Sequence, residues 1–202
     1  MVQEKLNLRR VVVYCGSAHK ISDTYKEAAR EFGAMLARRE ITLVFGGGRV
    51  GLMGIVADAV LAGGGEVIGV IPERLRDLEL AHEGVTELVV TETMAERKVK
   101  MQELSDAAVA LPGGAGTFDE LFEELVLTQL SYQNKPVGIL NVDGFYDHLL
   151  AFMSHVASEG FIRSPFDSLL VHADSPEDLL EKLEAFEGFE SNLKAKLEMA
   201  GP

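Results

Sequence analysis

The chain has 202 residues, of which 47% are hydrophobic and 25% charged, so it can bury a globular core without disulfides. Its net charge of −13 makes nucleic acids and anionic membrane surfaces poor partners, because both are themselves negatively charged. The single cysteine, Cys15, excludes an internal disulfide and fits a reducing compartment. No apolar run approaches the ~18–20 residues of a membrane span, and the first eight residues lack a secretory apolar core. We therefore expect a cytoplasmic protein.

Apolar strand-like runs alternate with helical patterns along the chain. Strands are predicted over residues 10–14, 42–45, 66–71, 87–90, 107–111, 136–141 and 168–171. Helices are predicted over residues 22–39, 52–61, 95–104, 117–132, 145–158 and 176–186, and the polar segment 73–84 is predicted to be irregular. Strands joined by helices imply right-handed βαβ crossovers, so this order predicts a mostly parallel sheet with helices on both faces. No linker or repeat interrupts it, which favours a single domain over 1–202, with 185–202 as a candidate acidic helical tail.

Three of the predicted strands end in small, flexible residues: Cys15-Gly16-Ser17, Gly46-Gly47-Gly48 and Pro112-Gly113-Gly114-Ala115-Gly116. The carboxyl ends of parallel strands meet at one rim of a sheet, where ligands bind. Glycine lets the backbone approach a ligand closely, and the helix after each loop directs its free N–H groups at the rim. The three loops therefore predict a phosphate site, although any one of them also suits a plain strand-to-helix turn.

The spacing Gly46-x-Gly48-x-x-Gly51 also fits the dinucleotide-binding fingerprint. That fingerprint usually follows the first strand, which here leads into Cys15 instead. Glu66 and Glu73 are the only acidic residues near the offset at which the fingerprint expects one, and Glu66 opens a strand rather than ending one. NAD binding is therefore disfavoured.

Charged side chains flank the third loop. Glu120 is predicted in the first turn of the following helix, where the helix dipole favours its ionised form and a low pKa. Thr117 can cap that helix or contact a phosphate. Arg97 and Lys98 lie in the preceding helix, and a guanidinium suits a phosphate or a carboxylate. The alternatives are a capping acid for Glu120 and solvated surface charges for Arg97 and Lys98.

Together these motifs resemble the LONELY GUY (LOG) family of cytokinin-activating phosphoribohydrolases, formerly described as possible lysine decarboxylases. The family signature Pro-Gly-Gly-x-Gly-Thr-x-x-Glu matches residues 112–120 without a gap. A second family motif, Met-x-x-Arg-Lys-x-x-Met, matches Met94, Arg97, Lys98 and Met101. Residues 13–17, 46–54 and 135–138 match further blocks, and the likeness covers roughly residues 10–162.

The resemblance implies a Rossmann-like three-layer α/β/α fold, usually as a homodimer. It implies hydrolysis of the N-glycosidic bond of an adenosine 5′-monophosphate, N6-substituted or plain, giving a cytokinin base or adenine and ribose 5-phosphate. By position, Arg97 and Glu120 form the catalytic pair. The implied substrate-binding residues are Ser17, Gly47, Gly48, Glu79, Lys98, Gly113, Gly114, Ala115, Gly116 and Thr117. No metal or organic cofactor is required.

Two alternatives stay open from the sequence. Val126 and Leu127 stand where plant members have threonine and tryptophan, so the preferred base can be prenylated or plain adenine. A non-catalytic nucleotide or molybdenum-cofactor carrier has a similar fold and related glycine loops. Lysine decarboxylation is disfavoured, because nothing here resembles a pyridoxal phosphate site.

Overall fold

The computed structural model describes residues 6–78, 80–162 and 169–188. In these ranges the strands are β1 (Arg10–Tyr14), β2 (Thr42–Phe45), β3 (Val67–Pro72), β4 (Glu87–Thr91), β5 (Ala107–Ala110), β6 (Val137–Leu140) and β7 (Val171–Ala173). The helices are α1 (Asp23–Arg38), α2 (Gly51–Ala62), α3 (Glu73–Asp77), α4 (Met94–Glu103), α5 (Ala115–Gln129), α6 (Asp147–Ser158) and α7 (Pro176–Glu184), with a 3-10 turn at Val142–Gly144. Within the described residues, none of these helices is long and apolar enough to cross a lipid bilayer.

The strands form one parallel sheet in the order β4-β3-β2-β1-β5-β6-β7. The chain adds strands on one side of β1 as far as β4 and then returns to place β5 on the other side. Val13 pairs with Phe45 of β2, and Tyr14 pairs with Ala110 of β5. At such a switch point the loops after the two central strands diverge and leave a crevice at the carboxyl edge.

Alternating side chains of the strands feed two apolar cores, one on each face of the sheet. Val11 and Val13 pack into the core that includes residues of α1, α2 and α7. Val12 and Tyr14 point to the opposite face, into the core with residues of α4, α5 and α6. The predicted Rossmann-like three-layer α/β/α fold with a parallel sheet is therefore confirmed.

Hydroxyl caps set the beginning of three helices. Ser22 accepts a hydrogen bond from the backbone N–H of Thr24 at the start of α1, and Ser175 caps α7 in the same way. Thr93 accepts from the N–H of Glu96 and so begins α4, the helix that carries Arg97. A capping side chain satisfies one of the free N–H groups of the first turn and fixes where the helix starts.

Several predicted boundaries are wrong. Helix α5 begins at Ala115 rather than at 117, because Gly114 supplies the extended backbone of the N-cap. Segment 73–84 contains the short helix α3, in which Arg76 pairs with Glu73 at 3.1 Å. Strand β7 starts at 171, where the pairing with β6 begins, whereas residue 168 lies outside the described residues.

The predicted tail over 185–202 falls mostly on residues 189–202, which lie outside the described residues. The described part, 185–188, is not helical. Helix α7 ends at Glu184, and Gly188 has a φ of +94°, which a right-handed helix does not contain.

Candidate active site

Two side chains of opposite charge, the buried Arg97 and the largely buried Glu120, meet below the rim of the sheet. Arg97 of α4 donates from Nη1 to Oε1 of Glu120 of α5 at 3.0 Å. The Nε of Arg97 donates to the main-chain oxygen of Val70 in β3 at 3.1 Å. The side chains are only 8% and 12% exposed, respectively. The guanidinium is therefore fixed by a strand on one side and orients the carboxylate on the other.

The position of Arg97 depends on the glycine that follows β2. A Cβ added to Gly46 would collide with Nη2 of Arg97, so only a glycine lets the guanidinium pass this close. The next residue, Gly47, has a φ of +70°, a conformation that favours glycine. The predicted glycine run at the end of β2 thus makes room for an arginine as well as for a turn.

Burial raises the pKa of Glu120, and the charge and hydrogen bond of Arg97 oppose that rise. The sequence-based expectation of a low pKa is therefore wrong. Because α5 starts at Ala115, Glu120 lies in the second helical turn, beyond the strongest influence of the helix N-terminus. A carboxylate with a raised pKa is a stronger base than an ordinary glutamate.

The N-terminus of α5 faces the rim with exposed backbone. Gly114, Ala115 and Gly116 are exposed, and Cβ atoms added to the two glycines would meet nothing within 4 Å. The first N–H groups of a helix have no partners within the helix, and Gly114 supplies no side-chain cap. This end of α5 is thus an open cluster of N–H donors suited to an anion.

Thr117 does not cap α5, contrary to one of its predicted roles. It lies inside the helix and is 4% exposed. A Cβ added to Gly113 would collide with the hydroxyl of Thr117, so the two residues pack directly together. A glycine at 113 is required for this contact.

Backbone hydrogen bonds join the loops after β1, β2 and β5 at one rim, as predicted. The N–H of Gly16 donates to the oxygen of Pro112 at 3.0 Å, and the N–H of Leu52 donates to the oxygen of Gly16 at 2.9 Å. Ser17 is exposed, and its backbone lies so close to Gly51 that a Cβ added there would collide with it.

A further segment, residues 80–82, is joined to the loop after β2. Gly48 forms an antiparallel bridge with Ala81, and the N–H of His82 donates to the oxygen of Gly47 at 2.9 Å. Glu79, a predicted substrate contact, lies outside the described residues, although this segment follows it directly.

Lys98 lies beside the buried pair but its amine is occupied. Its Nζ is 3.1 Å from Oδ2 of Asp119 and 2.9 Å from Oε2 of Glu123, so it links α4 to α5. The hydrogen bond with Glu123 raises the pKa of Lys98, and that with Asp119 adds to the rise. The amine therefore carries its charge at the edge of the site and shares it with two carboxylates.

A second carboxylate, Glu124, is 1% exposed and was not predicted from the sequence. The hydroxyl of Tyr14 donates to Oε1 of Glu124 at 2.6 Å. The available signal was the spacing, since residue 124 follows Glu120 by one helical turn and lies between Leu121 and Leu125 of the same apolar face. No group of three or more His, Cys, Asp or Glu residues placed to hold a metal occurs in the described part of the chain.

The fold and the rim together define a Rossmann-like α/β protein. Its Arg97–Glu120 pair lies beside the N-terminus of α5, which is suited to bind an anion. The family model described as "Possible lysine decarboxylase" matches residues 53–183. The chain is 49% identical over 178 residues to a rice protein, "Probable cytokinin riboside 5'-monophosphate phosphoribohydrolase LOGL2", with 88% of this chain and 73% of that protein covered. It is 44% identical over 186 residues to Arabidopsis thaliana "Cytokinin riboside 5'-monophosphate phosphoribohydrolase LOG2", covering 92% and 87%. The chain therefore belongs to the LOG family.

Solved structures share the architecture. A molybdenum cofactor binding protein from Rippkaea orientalis superposes with a TM-score of 0.65 at 22% identity, covering 89% of this chain and 98% of that one. The molybdenum cofactor carrier protein of Chlamydomonas reinhardtii gives a TM-score of 0.65 at 21% identity, with 89% and 98% covered. At such low identity the likeness concerns the fold alone.

Proposed function

We propose that this protein hydrolyses the N-glycosidic bond of an adenosine 5′-monophosphate, N6-substituted or plain, and releases ribose 5-phosphate with a cytokinin base or adenine. The observation that carries the proposal is the buried Arg97–Glu120 pair beside the open N-terminus of α5. Membership of the LOG family supports it, because close relatives have names that state this activity. A carrier of nucleotides has no evident use for a buried carboxylate next to its phosphate site.

Cleavage of the bond builds positive charge on the ribose ring. In the proposed reaction the base leaves with the bonding electrons and takes up a proton, while the oxygen of a water molecule bonds to the ribose carbon. Glu120, ionised below the ring, stabilises the developing charge and accepts a proton from that water. Burial raises the pKa of Glu120, which strengthens it as the base.

We propose that the 5′-phosphate binds at the N-terminus of α5, against the backbone of Gly113, Gly114, Ala115, Gly116 and Thr117. This grip supplies binding energy away from the reacting carbon, which can be used to position the ribose over Glu120. Ser17, Gly47 and Gly48 line the rim of the same crevice in this proposal. Lys98 and Glu79 complete the contacts with the nucleotide, Lys98 through a charge that it shares with Asp119 and Glu123.

Three roles are open to Arg97 from its sequence position: orienting Glu120, binding phosphate or assisting the leaving base. We propose the first, because two of its three guanidinium nitrogens are engaged, Nη1 with Glu120 and Nε with Val70. A bidentate grip on a phosphate needs two free nitrogens on one edge.

We also propose that the protein acts as a cytoplasmic homodimer, as the resemblance to the family implies. Exposed apolar side chains of α4, α5 and the residue after α5 support a partner chain: Val99 is 51% exposed, Val126 47% and Leu130 42%. Large apolar side chains that are exposed in a single chain can be covered in an interface between protein chains.

The proposal is tested with Glu120→Gln and Arg97→Ala. Each variant should lower the rate of base release at least about 10²-fold, since each removes a group needed at the reacting centre. Released adenine or N6-isopentenyladenine is measured by chromatography, and circular dichroism checks the fold. Lys100→Ala and Glu103→Gln serve as controls, because they break an exposed ion pair on the same helix as Arg97. Full activity in both site variants would reject the assignment.

The substrate is identified by comparing AMP, isopentenyladenosine 5′-monophosphate and isopentenyladenosine. The proposed phosphate site requires that the nucleoside be a much poorer substrate than its monophosphate. The ratio of the two monophosphate rates identifies the preferred base. Tight binding of nucleotide without any product after long incubation would indicate a carrier instead.

A further inference from the structure

Glu124 is an ionisable side chain in the middle of an apolar layer. It is 1% exposed and lies on α5 between Leu121 and Leu125, both of which pack against the sheet. In residues 6–78, 80–162 and 169–188, no lysine or arginine comes within ion-pair distance of its carboxylate. Lys135 interacts with Glu124 through its charge, but its amine donates a hydrogen bond to the main-chain oxygen of Gln102.

Two neutral donors take the place of a cation. The Tyr14 hydroxyl donates to Oε1 at 2.6 Å, and Nε2 of Gln133 donates to Oε2 at 2.5 Å. Burial and the charge of Glu124 raise the pKa of Tyr14, so the hydroxyl keeps the proton that it donates. Gln133 is itself held by the hydroxyl of Thr128 and by the main-chain oxygen of Glu124.

A buried ionisable group is costly for stability, and an apolar side chain of similar volume is often neutral or better at such a position. A leucine at 124 would continue the apolar face formed by Leu121 and Leu125. The network therefore calls for an explanation other than the stability of the fold.

The network joins the two elements that must be aligned for the proposed reaction. Tyr14 is the last residue of the central strand β1 and is followed directly by the rim loop at 15–17. Glu124 lies one turn beyond Glu120 on the same face of α5. Side chains reach about 5–6 Å from the axis of a helix, so a rotation of α5 by only ~10° would move the Glu120 carboxylate by about 1 Å.

We propose that Glu124, through its hydrogen bonds with Tyr14 and Gln133, is a positioning residue that fixes the rotation of α5 and thereby the place of the Glu120 carboxylate. This inference rests on the proposed hydrolase function. In this inference Glu124 does not contact the substrate. It affects the chemical step by holding Glu120 in place. A displacement of about 1 Å at a reacting group can lower a rate by about 10²-fold, so the expected effect is large.

The test uses the full chain with Tyr14→Phe and Glu124→Leu combined, which removes both partners and leaves neither unpaired. We expect kcat to fall roughly tenfold to hundredfold, with KM and the Kd for ribose 5-phosphate within about twofold of the wild type. The melting temperature should stay the same or rise, because an apolar pair replaces a buried carboxylate. Loss of kcat without loss of stability is not what a purely structural role produces.

Leu125→Ala is the matched control, since Leu125 is the neighbouring buried residue of α5 and makes none of these hydrogen bonds. It should lower the melting temperature through the cavity that it leaves and largely spare kcat. Should the double variant fail to fold, Tyr14→Phe alone removes only one hydroxyl and should still lower kcat at unchanged KM.

An unchanged kcat in these folded variants would overturn the positioning role, as would a kcat that falls only in step with the melting temperature. Failure of the underlying function is a separate result, because the wild-type protein would then release no base from any monophosphate.

Discussion

Glu120 is subject to two opposing influences on its protonation. Its burial favours the neutral acid and raises the pKa, whereas the charge and hydrogen bond of Arg97 favour the carboxylate. Burial has the larger effect, so the pKa of Glu120 is raised. Arg97 thus limits the rise in the pKa of Glu120, which burial makes a stronger base than an exposed glutamate.

This balance predicts the direction of two shifts in pKa. Glu120 should titrate above the usual glutamate value of about 4.3 in the wild type, and higher still in Arg97→Gln, where burial acts without the guanidinium. Carbon-13 NMR of labelled glutamate carboxyls measures both values, with Glu120→Gln used to assign the signal. The proposed activity requires the ionised form, so in the wild type it should be lost as the pH falls through the pKa of Glu120. A wild-type value below 4.3, or no rise on substitution, would contradict this account.

The sequence indicates Arg97 and Glu120 as candidate site residues, because each belongs to a motif in which neighbouring residues restrict the choice. Glu124 belongs to no such motif, and a glutamate on a helix is ordinarily a solvated group. Tyr14 lies in the matched block 13–17, but that block assigns no role to its side chain. The hydrogen bond between Tyr14 and Glu124 forms because α5 packs on the face of the sheet to which Tyr14 points, and the two residues are 110 positions apart in the chain. Contacts of that kind follow from tertiary packing and have no local pattern.

Among the elements, α4 places the guanidinium of Arg97 against the end of β2, and this is possible only because Gly46 has no side chain. An alanine at 46 would meet the flexible end of Arg97 rather than backbone, so the fold can absorb it by moving the guanidinium. Through this contact, the glycine at 46 restricts the position of Arg97 in the proposed catalytic pair.

Gly46→Ala should therefore lower kcat by displacing Arg97, while the fold survives. If the effect passes through Arg97, Gly46→Ala combined with Arg97→Ala should be no slower than Arg97→Ala alone, since effects on one shared contact do not add. Steady-state kinetics of the three variants check this, with melting temperatures as a control for stability. Fully additive losses would show that Gly46 acts on the substrate by another route.

The predictability of the elements follows the strength of the local signal. Strands β1, β2 and β3 read as continuous apolar runs, and their predicted bounds agree with the structure within one residue. The start of α5 was misplaced, because Thr117 resembles a cap by residue type while Gly114 is the N-cap by backbone conformation. Helix α3 was missed, since its five residues bury none of their side chains and give no apolar period.

At the scale of the molecule, the parallel sheet places the N-terminus of α5, where we propose that the phosphate binds, at the surface of a strongly acidic protein. The switch point between β1 and β5 gathers loops from three strands around the N-terminus of α5. Attraction for the proposed phosphate comes from backbone N–H groups and acts over a few ångströms. The net charge of −13 repels the same phosphate over a much longer range.

Because the attraction is short-ranged and the repulsion long-ranged, we expect added salt to strengthen the binding of the phosphate rather than weaken it. Raising the ionic strength from about 0.01 M to about 0.1 M shortens the Debye length from about 30 Å to about 10 Å, which screens the long-range repulsion more than the short contacts. The value of kcat/KM for the nucleoside monophosphate should therefore rise over this interval, by up to a few-fold. The dissociation constant of ribose 5-phosphate, measured by calorimetry over the same interval, should fall in parallel, and a neutral nucleoside should show no such trend. A steady decrease of kcat/KM with salt would mean instead that exposed cations such as Arg49, rather than backbone amides, supply most of the attraction for the phosphate.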